Sequence, residues 1–227
     1  MKQTSLNIIA IGIFVITMSS LLGPIFNLSP VIPAIATFSV LVLATIDTLG
    51  WQGQGGMIIV DLVEGASSER RDRIIRHEAG HFLVAYLLEI PISGYALSAW
   101  EAFRQGQSAQ GGVRFDDQKL AAQLQKGIIS DQIVDRYCIV WMAGIAAEDL
   151  VYGNAEGGAE DRAKITAILR QLKRPGESKL KQSWASLQAR SLLENHQSAY
   201  EALVKAMTER ASVSDCYQTI KQHLSVG

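Results

Sequence analysis

Residues 6–26 hold no charged side chain, and neither do residues 31–46. No other feature constrains the fold of this chain as much. Inside a bilayer no water satisfies backbone N–H and C=O groups, so an apolar run of this kind is a helix there. A span needs about 20 residues. The first run has that length. The second reaches it by extending through Asp47 to Trp51, whose ring and N–H suit the interface. The connection Asn27-Leu28-Ser29-Pro30 is short and uncharged, as a hairpin requires. A cleaved secretory leader is the alternative for residues 6–26, but no small-x-small cleavage site precedes the second run. Lys2 stands before the first run, and Arg70, Arg71, Arg73 and Arg76 follow the second. The positive-inside rule then places both ends on the cytoplasmic side, or its stromal or matrix equivalent.

The remaining sequence reads as one domain. A glycine-rich stretch, Gly50–Gly56, begins a linker over residues 52–68, and residues 69–227 follow as a single soluble unit behind the anchor at residues 1–51. Met57–Val63 is a short apolar run, read as a strand. Ala66-Ser67-Ser68 offers caps for a helix that carries Ile74, Ile75, Phe82, Leu83 and Tyr86 and stops before Pro91. Strands are expected over Ile92–Trp100 and Gly112–Phe115, with the polar loop Gln105–Gln110 between them. A long helix is expected over Asp131–Tyr152, and further helices near 159–172, 178–194, 197–210 and 213–224. The fold class is mainly α with a small β-sheet. A net charge of -1 gives no sign of nucleic-acid binding. The two cysteines, Cys138 and Cys216, lie far apart with no CxxC, which fits a reducing compartment.

Chemistry concentrates at His77-Glu78-Ala79-Gly80-His81. Positions four apart share a helix face, so His77 and His81 can hold one metal ion from one side. Glu78 leans toward the same ion and can take a proton from an attacking water. A catalytic zinc keeps three protein ligands and one open position. For the third ligand the residues leave several candidates. Glu101 stands twenty residues after His81, but behind a strand-like run. Leu87 occupies the place of the third histidine in the longer HExxHxxGxxH pattern, which excludes that class. His196 and His223 lie among amphipathic C-terminal helices, where a lone histidine more often faces solvent or is satisfied in the core than binds a metal. Glu148, Asp149 and Asp161 remain.

HEAGH, then AGIAAEDLVYG at 143–153, then GGAEDRAKITAIL at 157–169 resembles the peptidase domain of FtsH-type membrane zinc metalloproteases. The later ARSLLENHQSAYEALVKAM is similar to that family's closing helices, so the resemblance covers about residues 69–225. It implies a helical zinc peptidase domain, with His77, His81 and Asp161 as zinc ligands and Glu78 as general base. Glu148 matches the first glutamate of the family's AAEE segment, expected to support a ligand rather than bind the metal. It further implies hydrolysis of peptide bonds in unfolded or membrane-associated proteins, and working assemblies that are homo-oligomeric.

The chain also departs from that pattern. No GxxxxGK[ST] phosphate loop occurs, so this chain is expected to bind no ATP and to lack the family's ATPase module. A partner ATPase of the FtsH type is one way to supply it. Ile145 stands where the family has a basic residue, and Ser98-Ala99-Trp100 lies where it has a Pro-Arg-Gly turn. Two readings follow. One is a membrane-anchored zinc endopeptidase. The other is a non-catalytic regulator or subunit that docks on full-length FtsH-type complexes, and it has no chemical need for Glu78. An intramembrane protease is disfavoured, because Arg70–Arg76 immediately precede the motif.

Overall fold

A computed structural model describes residues 2–51, 53–64, 67–106, 111–125 and 129–224. The chain divides into two compact units. One is Met1–Ser68 with Ser98–Gly111, and the other is Glu69–Leu97 with Gly112–Gly227.

The first unit is built on α1 (Lys2–Leu22) and α2 (Val31–Gly50), joined by a 3-10 turn at Gly23–Phe26. Asn27 closes that turn in the left-handed region, at φ 55. Both helices are long and apolar enough to cross a membrane, over Ser5–Phe26 and Val31–Gly50. Five of their hydroxyls are satisfied locally: Thr17 donates to Ile13 O, Ser20 to Ile16 O, Thr37 to Pro33 O, Thr45 to Leu41 O and Thr48 to Ala44 O. Such back-bonding leaves these hydroxyls no unmet demand in an apolar solvent. The two helices pack on each other and on α3 (Gln54–Glu64).

α3 corrects one expectation. The run Met57–Val63 lies in this helix rather than in a strand. The reason lies in another element. Asp47, in the last turn of α2, accepts from Gly55 N at 2.7 Å and Gly56 N at 2.9 Å. The carboxylate thus satisfies two of the orphan amides of the first turn of α3, where negative charge is favoured.

The second unit holds α4 (Ser68–Leu87, whose first residue belongs to the first unit), β1 (Ile92–Ala96), β2 (Gly112–Phe115), α6 (Gln118–Gln125), α7 (Asp131–Tyr152), α8 (Ala159–Gln171), α9 (Ser178–Asn195), α10 (Gln197–Thr208) and α11 (Val213–Leu224). α7 runs through the middle of the core and is buried from Val140 to Glu148 without a break. α4 approaches it closely at Gly80, where a Cβ would come within 2.7 Å of Ala143 O. β1 and β2 pair antiparallel, with a bulge between Ile92 and Gly94. β1 is fixed to α11 by Tyr217 Oη, which accepts from Ile92 N at 3.0 Å.

The strand expected over Ile92–Trp100 stops at Ala96. Ser98 caps a short helix, α5 (Ala99–Arg104), by accepting from Glu101 N at 3.1 Å. α5 belongs to the first unit. α6 was not foreseen. Of the expected loop Gln105–Gln110, residues 107–110 lie outside the described residues. Cys138 and Cys216 are free and fully buried.

Candidate metal centre

The helical period places His77 and His81 one turn apart on α4. Their Nε2 atoms lie 3.0 Å apart. Asp161, in the first turn of α8, brings Oδ2 to 3.4 Å from His77 Nε2 and 3.5 Å from His81 Nε2. Among the described residues these three form the group able to hold a metal ion. Zinc–ligand distances of 2.0–2.2 Å in a tetrahedron put donors about 3.3 Å apart. The observed triangle fits that spacing, and two imidazoles with one carboxylate fit the donor preference of zinc.

The histidine tautomers follow from their other contacts. His81 Nδ1 lies 2.7 Å from Val140 O, and a carbonyl can only accept. His81 therefore donates through Nδ1, which leaves the Nε2 lone pair for the cluster. His77 Nδ1 lies 2.7 Å from Glu148 Oε1. Glu148 is buried and also accepts from Glu156 N at 2.9 Å and Gly157 N at 3.2 Å. Burial pushes the Glu148 carboxyl up, but these hydrogen bonds and the neighbouring His77 outweigh it and hold it low. A charged Glu148 thus turns the Nε2 lone pair of His77 toward His81 and Asp161. Two such lone pairs repel at this distance unless a cation lies between them.

Without a metal, a proton plays that part. Burial disfavours the His77 imidazolium, yet its hydrogen bonds to Asp161 and Glu148 raise it to about 10. Burial would likewise raise the Asp161 carboxyl, but its electrostatic and hydrogen-bond interactions with the facing His81 and His77 rings hold it far below the usual carboxylate range. Lys164 Nζ donates to Asp161 Oδ1 at 3.0 Å, so that oxygen is engaged and Oδ2 is the one presented. A proton held up to about pH 10 competes with zinc, so apparent zinc affinity should rise with pH toward 10. One displaced proton makes about a tenfold difference between about pH 7 and about pH 8. Dye-competition titrations at the two pH values check this, and equal affinities would contradict it.

Glu78 follows His77 on α4 and is half-buried. Its Oε2 accepts from Val113 N at 2.8 Å, so β2 holds the carboxylate by a backbone amide. Its charge also helps to raise His77.

Glycines make room for the cluster. A Cβ on Gly144 would lie 2.4 Å from His77 Nε2 and 2.6 Å from His81 Nε2. Gly158 caps α8 at φ 82, and a Cβ there would meet Ile145 Cγ1. Ile145, in place of the basic residue of the resemblance, is buried against that glycine. Gly144→Ala should keep the helix, since alanine is the better helix former. The histidine rings must move, so zinc affinity should fall by at least about tenfold. Circular dichroism and metal analysis of the variant check both halves, and unchanged zinc content would count against this arrangement.

The other candidates lie elsewhere. Glu101 sits on α5, in the first unit. Asp149 lines a surface groove with Arg162 and Lys179. His196 is half-buried at the junction of α9 and α10. His223 is exposed, with Nδ1 2.9 Å from Thr219 O. Of the arginines beyond the second apolar run, Arg73 lies over the Tyr152 ring with Nη1 3.6 Å from Glu148 Oε2, and Arg76 pairs with Asp72 and Glu201. Val140, Val113 and Lys164 were not anticipated as contributors.

No protein-family model matches the chain. It is similar to the ATP-dependent zinc metalloprotease FtsH 1 of Methylacidiphilum infernorum (isolate V4), with 36% identity over 110 residues, 47% of this chain and 16% of the relative. It is also similar to the ATP-dependent zinc metalloprotease FtsH 1 of Sorangium cellulosum (strain So ce56), with 30% identity over 109 residues, again 47% of this chain and 16% of the relative. The match thus spans about a sixth of the length of these relatives. The similarity points to a relation with FtsH proteases over part of the chain.

Proposed function

We propose that this chain is a membrane-anchored zinc endopeptidase that cleaves unfolded or membrane-associated proteins without hydrolysing ATP itself. The observation that carries this reading is the convergence of His77 Nε2, His81 Nε2 and Asp161 Oδ2, with Glu78 beside them on the same helix as the two histidines. These three residues would hold the zinc. When bound, zinc supplies Lewis acidity toward water and the scissile carbonyl.

The chain's own residues do the rest. Glu148 and Val140 O fix the histidine tautomers, and Lys164 turns Asp161 Oδ2 inward. Glu78 takes a proton from the attacking water and hands it to the leaving amine. Val113 N–H holds its carboxylate in place through Oε2. The apolar helices α1 and α2 serve as the anchor, with the peptidase unit on the cytoplasmic or equivalent side. Protein chains are the substrates, and assembly as homo-oligomers or with an FtsH-type ATPase suits the relation above.

Casein hydrolysis by the detergent-purified full chain tests this, with zinc, after chelation and re-addition, and without ATP. Zinc-dependent cleavage without ATP supports the proposal. Cleavage only after a partner ATPase is added would make this chain a subunit of a larger protease. Absence of cleavage under all conditions would favour the non-catalytic regulator.

A further inference from the structure

We propose that the connection between β1 and β2 is a membrane-interface arm, in which α5 lays Trp100 and Phe103 into the headgroup boundary of the bilayer that holds α1 and α2. The proposal rests on reading those two helices as spans. It does not depend on peptidase activity.

The connection leaves the unit from which it grows. β1 and β2 belong to the second unit, yet Ser98–Gly111 clusters with the apolar helices. There α5 packs beside α3. α3 in turn begins at the end of α2, where the Asp47 carboxylate holds its first amides, and it packs against both α1 and α2. Whatever is carried on α3 therefore stays next to the lipid-facing helices.

α5 has two different faces. Ala99 and Ala102 are buried, at 6% and 0% exposure. Trp100 and Phe103 point away from that packing, at 53% and 44%, with rings stacked at a centroid distance of 5.9 Å and 25° between planes. In water such a paired aromatic surface is costly, because apolar area stays wet. At a bilayer boundary it is stabilising, since an indole can bury its ring and keep its N–H hydrated. Exposed Arg104 follows in the last turn, and a long cationic side chain reaches headgroups from such a position. Glu101 and Arg104 cancel in formal charge, so the attraction is mainly apolar rather than electrostatic. Trp51, directly after α2, is also exposed, at 60%. The first unit therefore carries aromatics both where its second span ends and on the arm.

The arm has a consequence for the site. From α5 the chain returns to β2, whose Val113 N–H holds Glu78. Docking on lipid would thus act on a segment that continues along the chain into the strand holding that carboxylate.

The test labels the full chain with 5-fluorotryptophan and reconstitutes it in nanodiscs of phosphatidylcholine and phosphatidylglycerol. The chain has four tryptophans, so Trp→Phe variants assign each fluorine resonance. Lipid carrying a nitroxide high on its acyl chain is then added, and separately a water-soluble gadolinium chelate. Loss of the Trp100 and Trp51 signals with the nitroxide lipid, while core Trp141 at 8% exposure persists, is the expected result. If Trp51 responds but Trp100 is broadened only by the chelate, the arm lies in water and the proposal fails. If Trp100 is shielded from both agents, a protein such as a second copy covers it, and the lipid assignment is overturned. If Trp51 also ignores the lipid label, the reading of α2 as a span fails, and the arm fails with it.

Discussion

Glu78→Gln should lower zinc-dependent peptide hydrolysis by about 10²- to 10⁴-fold, the range a positioned general base contributes. Zinc content should stay at the parent level. The two halves separate because Glu78 is not part of the triangle formed by His77, His81 and Asp161. The substitution keeps shape, and the new amide oxygen can still accept from Val113 N, so β2 keeps its partner on α4. What disappears is the capacity to take a proton. Parallel metal analysis and initial-rate measurement read both quantities on one preparation. Activity that survives the change would remove Glu78 from the mechanism. Loss of zinc would mean that it serves the metal rather than the proton.

Asp161→Ala should empty the metal site, whereas Glu148→Ala should weaken zinc by about 10- to 100-fold without abolishing binding. The difference follows from position. Asp161 Oδ2 is the third corner of the donor triangle, so its removal leaves two ligands, too few for a catalytic zinc site. Glu148 acts one contact further out, on His77 Nδ1. Without it the ring can rotate, the tautomer is no longer set, and Arg73 loses a nearby counter-charge. Zinc titration of both variants distinguishes these roles. Full occupancy in Asp161→Ala with loss in Glu148→Ala would exchange the two assignments.

Much of this centre could be read from the letters alone, for a physical reason. A spacing of four on a helix fixes a shared face whatever surrounds it, so HExxH places both histidines without further knowledge. Asp161 is different. It lies eighty residues beyond His81, and no local rule brings the start of α8 to α4. Only the order of three motifs singled it out from Glu101, Glu148 and Asp149. The backbone partners Val140 O and Val113 N–H leave no trace in residue type, so no pattern could have named them. Short apolar runs misled for another reason. Met57–Val63 satisfies strand and helix patterns equally, and Asp47, outside the run, supplies the amide partners that its helix needs. The early end of β1 was legible after all. Ser98-Ala99-Trp100-Glu101 has the spacing of a capping box, and Ser98 does cap α5.

The donors and their supports come from three helices far apart in the chain: histidines from α4, Val140 O and Glu148 from α7, and Asp161 from α8. A zinc ion held by such a set would be a clasp as well as a reagent. The unfolded chain cannot assemble the three helices around it, so the ion would favour the native state, and occupancy and folding would share one equilibrium. Each tenfold rise of free zinc above its dissociation constant should add about 1.4 kcal/mol to stability. The melting temperature of this unit should therefore climb with the zinc supply, and thermal melts at graded free zinc would read the grip of the clasp directly.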